Sequence, residues 1–103
     1  MDAPTRVTVN SKELAALPVV VQESLRTKVK RALLADPFWG DRLRKNLWPR
    51  QFKDLPNLFR FELPDAYRGV YSVLTYPGQE REIRIVWIGN HKQCDRLFGY
   101  STS

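Results

Sequence analysis

Polar and apolar positions first fall into a pattern at residues 6–9, where Arg6, Val7, Thr8 and Val9 alternate and two of them are β-branched valines, which predicts a short strand. Asn10 then stands where a helix would be capped, and Glu13 comes three residues on at capping-box spacing, so a helical turn is predicted to about residue 17. Pro18 suits the first turn of a second helical segment, where its missing N–H is no loss. From there Val21, Leu25, Val29, Ala32 and Leu33 recur at helical spacing, with Arg26, Lys28, Lys30 and Arg31 on the opposite side. Asp36 next to Pro37 should close this helix, because proline pushes the residue before it out of the helical region.

Residues 37–57 fit two descriptions. Phe38, Trp39, Leu43 and Leu47 could build another short helix or an aromatic-rich loop, and Pro49 and Pro56 mark a connection into the second half of the chain. That half reads as strands. In residues 58–63, Phe59, Phe61 and Leu63 share one face and Arg60 and Glu62 the other. A turn at Pro64, Asp65 and Ala66 precedes a longer strand over 67–76, in which Arg68, Val70, Ser72 and Leu74 share a face. Pro77 and Gly78 open the next turn, and 82–88 is apolar on both faces, as a central strand requires, with Gly89 ending it. Strand, helices, then three strands predict an α+β fold. An N-terminal strand and a helical hairpin would pack on one face of an antiparallel sheet of about four strands, in a single domain spanning residues 1–103.

Composition narrows the function classes. Three Trp, five Phe and four Tyr supply enough apolar bulk for a packed core. The longest uncharged apolar stretch, residues 14–21, is too short to span a membrane, and the N-terminus has no apolar signal core, so a cytoplasmic protein without membrane contact is expected. One cysteine, Cys94, excludes an internal disulfide and a multi-cysteine metal site, and a small buried side chain without chemistry is the plain expectation for it. The net charge of +6 is unevenly placed. Residues 26–60 hold ten Lys or Arg against Asp36, Asp41 and Asp54, whereas residues 61–103 hold five of each sign. So concentrated a field attracts polyanions, although a solvated helix face carries the same signature.

From residue 55 the order of motifs becomes specific. Leu55 and Pro56, the alternating strand, and then Tyr67, Arg68, Gly69, Val70 and Tyr71 resemble the middle of RelE-type toxins, which carry a Tyr-Arg-x-Val-Tyr strand. Ile85, Val86, Trp87, Ile88, Gly89, Asn90, His91 and Lys92, with Asp95, Arg96, Phe98, Gly99 and Tyr100, are similar to that family's closing strand and tail. Residues 1–54 agree in layout only. The resemblance to the RelE/ParE superfamily implies an endoribonuclease toxin that cleaves mRNA without a cofactor or metal, free or on the ribosome. It also implies a concave basic surface on the sheet and a cognate antitoxin as protein partner.

Cleavage of this kind requires a base for the ribose 2′-hydroxyl, countercharge at the phosphate and an acid for the leaving 5′-oxygen, giving a 2′,3′-cyclic phosphate or its hydrolysed form. Arg68 matches the family's arginine and its fork of donors suits two phosphate oxygens; the structural alternative pairs it with Glu62 or Asp65. His91, the only histidine, stands where the family places an arginine or histidine near the scissile phosphate, and an imidazole exchanges protons near neutral pH. Arg60 is placed like a basic residue of many relatives and completes the candidate catalytic set. Glu62 stands where some relatives have a lysine; it could itself take a proton, but is expected to neutralise Arg60. Lys53, Lys92 and Arg96 are read as phosphate clamps. Cys94 stands where many relatives carry a tail tyrosine able to stack on a base, a role that would pass to Tyr100. The aromatics of the basic segment, among them Trp48 and Phe52, are expected mainly to fill the gap between helix and sheet, with Trp87 in the core.

Two other readings remain open. A gyrase inhibitor of the ParE kind would share the fold and need no acid–base chemistry. A decayed relative would keep RNA binding alone, which the departures at Cys94 and Glu62 favour.

Overall fold

The computed structural model describes residues 4–78 and 80–99. The chain is α+β. The strands are β1 (Thr5–Val9), β2 (Asp41–Arg42), β3 (Phe59–Leu63), β4 (Tyr67–Thr75) and β5 (Arg81–Asn90). They form one sheet in the order β1-β5-β4-β3-β2. The expected sheet of about four antiparallel strands is therefore corrected in number and sense. Residues 37–57 contribute a short fifth strand, β2, and two 3-10 turns, Lys45–Leu47 and Arg50–Phe52, in place of a helix. β1 runs parallel to β5, while the helical segment carries the chain from the β1 edge across to the opposite edge, where β2 begins the antiparallel run through β3 and β4 to β5.

The helical layer comprises α1 (Ser11–Ala15), α2 (Val19–Ser24) and α3 (Lys30–Ala35), with one π-helical turn (Leu25–Val29) joining the last two. Asn10 caps α1, its side-chain oxygen accepting from the N–H groups of Lys12 and Glu13. The stripe Val21, Leu25, Val29 and Leu33 is buried throughout, while Ala32 is only partly covered. Its strict spacing of four explains the π turn. On a regular α-helix each such step drifts about 40° around the axis. The turn closed by the Lys30 N–H on the Leu25 carbonyl is wider, and returns the stripe to the sheet.

That stripe packs on Phe59, Phe61, Leu63, Tyr71, Val73, Ile83 and Ile85, the face assigned from alternation. Within it, Gly69 is required by close packing, since a Cβ there would lie 2.2 Å from the Phe61 ring. The buried Tyr71 hydroxyl donates to the Pro37 carbonyl at 2.9 Å and accepts from the Gly40 N–H at 2.8 Å, tying the loop before β2 to the sheet.

The opposite face is not left bare. The chain beyond β5, a tail to which the sequence pattern assigns no element, forms a fourth helix, α4 (His91–Phe98). Leu43, Trp48, Phe52, Leu55 and Leu58 from the β2–β3 connection meet Val70, Val86 and Trp87 of the sheet and Leu97 and Phe98 of α4 in a second core. The expected aromatic plug between helix and sheet thus lies on the other side of the sheet for Trp48 and Phe52. Trp87 is partly buried there. A one-residue bulge in β5, where Val70 pairs with Trp87 but Tyr71 with Ile85, keeps both faces in register across it.

Candidate functional site

The residues singled out for chemistry gather where β3 and β4 meet the first turns of α4. Glu62 and Arg68 are direct cross-strand partners, and Arg68 lies opposite Gly89 on β5. Gly89 is needed because a Cβ would fall 2.6 Å from the Trp87 ring and 2.8 Å from the Gln93 side chain, so the helix folds back directly over the strand end. Asn90 and Gln93 form a reciprocal capping box, each side-chain oxygen accepting the other residue's backbone N–H at 2.8 Å. The β3–β4 hairpin supplies the remaining anchor. Its turn holds Asp65 and Ala66 at positive φ, and the Ala66 carbonyl accepts the His91 N–H at 2.8 Å.

With α4 held in this way, Asp95 stands one turn after His91 and receives both candidate groups. His91 Nε2 lies 3.3 Å from one Asp95 oxygen and Arg68 Nη1 lies 3.9 Å from the other. The guanidinium at 68 and the imidazole at 91 therefore converge, through a carboxylate that enters the sequence resemblance only as part of a motif. The His91 side chain is half exposed at 51%, whereas that of Arg68 is 16% exposed, so the expected open basic hollow is narrowed by α4 and the second core.

Glu62 is the clearest correction. The carboxylate expected to neutralise Arg60 instead lies 3.4 Å from Arg68 Nε, because direct partners on neighbouring strands approach more closely than residues two apart on one strand. Arg60 shares this face, and the buried Nε atoms of both Arg60 and Arg68 lack a hydrogen-bond partner. Among the described residues Arg60 forms no ion pair.

Cys94 is fully buried beneath Arg68. Burial pushes its thiol pKa up, and the nearby guanidinia of Arg68 and Arg60 offset this only in part, so at neutral pH it is a thiol and not a nucleophile. For Arg68, burial opposes the charge, but the Cys94 sulfur and the Glu62 carboxylate outweigh it and the pKa lies above the ordinary arginine value. The two arginines of the cluster thus stand against two carboxylates, Glu62 and Asp95.

The expected phosphate clamps are less concentrated. Lys92 and Arg96 are exposed on α4, and Arg96 lines a depression of about 420 Å³ with Trp87, Ile88, Gln93 and Leu97. Lys53 is exposed after the second 3-10 turn and forms no ion pair with the cluster among the described residues. Tyr100 lies outside the described residues. Asp95 was legible in principle: Asn90 and Gln93 signal a helix start, and on a helix His91 and Asp95 become neighbours.

Among the described residues no three His, Cys, Asp or Glu side chains are grouped to hold a metal ion, and no helix is long and apolar enough to cross a membrane. The chain matches no family model, no curated protein and no solved structure.

Proposed function

We propose that this protein is a cytoplasmic endoribonuclease toxin of the RelE/ParE kind, cleaving mRNA and silenced by a cognate antitoxin. The observation that carries the reading is the meeting of His91 and Arg68 on Asp95, with Arg60, which forms no ion pair among the described residues, on the same face. In this mechanism the half-exposed imidazole takes the proton of the ribose 2′-hydroxyl, oriented by Asp95. The 2′-oxygen attacks phosphorus, the bond to the 5′-oxygen breaks and water protonates that oxygen, leaving a 2′,3′-cyclic phosphate and a 5′-hydroxyl. Arg60, which forms no ion pair among the described residues, supplies guanidinium charge to the pentacoordinate phosphate. Arg68, committed to Glu62 and Asp95, acts mainly as a positioning residue.

That commitment also supports a second reading, in which the fold binds a target without cutting RNA, either gyrase or RNA itself. Purified protein incubated with single-stranded RNA separates these. Cyclic-phosphate products that disappear in Arg60→Ala and His91→Ala support cleavage. RNA left intact, or cut equally by the Arg68→Ala, His91→Ala double variant, refutes it, and inhibition of gyrase supercoiling would then favour the ParE-type reading.

A further inference from the structure

We propose that the pocket between β2 and the first 3-10 turn holds one nucleotide of a single-stranded nucleic acid, its phosphate against Arg44 and Lys45 and its base against Trp48. The pocket measures about 320 Å³ and is lined by these three residues with Arg42, Leu43 and Pro56. It stands apart from the His91 cluster, and binding there requires no cleavage.

The cations Arg42, Arg44 and Lys45 are exposed and crowd into four consecutive positions. Among the described residues none of them pairs with a carboxylate. Like charges so close repel one another, and a bound anion relieves that repulsion. They are also partly held in place. The Leu43 N–H donates to the Leu58 carbonyl at 2.9 Å, fixing the backbone that leads into Arg44 and Lys45, while the Arg42 guanidinium lies on the helical-layer face, 5.9 Å from the Phe59 ring centroid. The Trp48 indole is fixed as well. Its Nε1–H donates to the Leu43 carbonyl at 3.0 Å and its inner side packs on the second core.

A fixed ring beside unpaired cations selects the ligand. A double helix keeps its bases stacked inside and offers only phosphates, whereas a single strand offers a phosphate and an unstacked base together. An acidic peptide would satisfy the cations and leave the indole without a planar partner. The volume lies at the lower end of small-ligand pockets, which suits one nucleotide.

Fluorescence anisotropy provides the test, with a labelled 2′-O-methylated oligouridylate that no 2′-hydroxyl chemistry can cut. Oligodeoxythymidylate and polyglutamate serve as competitors. In the double variant Arg44→Gln, Lys45→Gln, the slope of log affinity against log salt should fall in magnitude by roughly 0.7, the loss of one phosphate contact. Trp48→Leu, which keeps apolar bulk in the second core, should weaken binding about tenfold with the slope unchanged. Equal competition by the deoxy strand assigns the site to single strands generally, and weaker competition assigns it to RNA. The proposal is overturned if Arg26→Gln, Lys30→Gln, Arg31→Gln on the helical layer lowers the slope equally, since binding would then be a diffuse field effect. Polyglutamate competing as well as either strand would overturn it too.

Discussion

Glu82 is nearly buried, and its carboxylate receives four donors. Thr8 donates at 2.7 Å, the Tyr76 hydroxyl at 3.1 Å, and Arg84 through Nε and Nη2, both at 3.1 Å. The Arg84 bonds, then that of Thr8, outweigh burial and hold the carboxyl pKa at about 2, down from 4.5. Each unit is worth about 1.4 kcal/mol, and because Arg84 is itself half exposed and screened by water, we take the contribution as about 2–3 kcal/mol. A pKa depressed by folding means that the charged form is favoured in the folded state. The stability is therefore fully present above pH 4.5 and is lost as the pH falls through about 2. Thr8 lies on β1 and Glu82 on β5, so the loss loosens the parallel edge of the sheet first. Urea unfolding across that pH range, for the native chain and for Glu82→Gln, measures this. The native chain should be more stable by about 2–3 kcal/mol near neutrality, the gap closing toward pH 2. Two stability curves that remain parallel down to pH 2 would refute the reasoning, because the four donors would then be bonding a carboxyl whose ionisation folding does not favour.

Two other substitutions probe the scaffold and the site. Tyr71→Phe strands the part-buried Gly40 N–H and Pro37 carbonyl, and should lower unfolding free energy by about 1–3 kcal/mol, with faster amide exchange at Asp41 and Arg42 marking a loosened β2. Asp95→Asn removes the charge that orients His91 and meets Arg68, so on the cleavage reading single-turnover kcat should fall about ten- to a hundredfold with little change in KM; an unchanged kcat would leave Asp95 a purely structural residue.

Much of the architecture was legible along the chain because it rests on local periodicity. The helical stripe from Val21 to Leu33, the alternation of Phe59, Phe61 and Leu63, and the Pro77–Gly78 turn each state their own geometry, and each is found as read. The placement of Arg60, Arg68 and His91 on one side was legible too, since strand alternation sets the first two and the end of β5 the third. α4 is hidden for a different reason. Its apolar Cys94, Leu97 and Phe98 are few, and its start signal sits directly at a strand end with no intervening loop.

Sequence alone thus determined which side chains face together within each element, because backbone period is a local property. Only the tertiary structure decided the pairings between elements. Which cation Glu62 would meet, that a fifth strand would arise from residues 37–57, and that the second sheet face would be closed by α4 and the β2–β3 connection all depend on distances between segments far apart in the chain. Those distances come from how two cores pack on one sheet, a constraint that acts on the whole molecule and leaves no periodic trace in any one stretch of it.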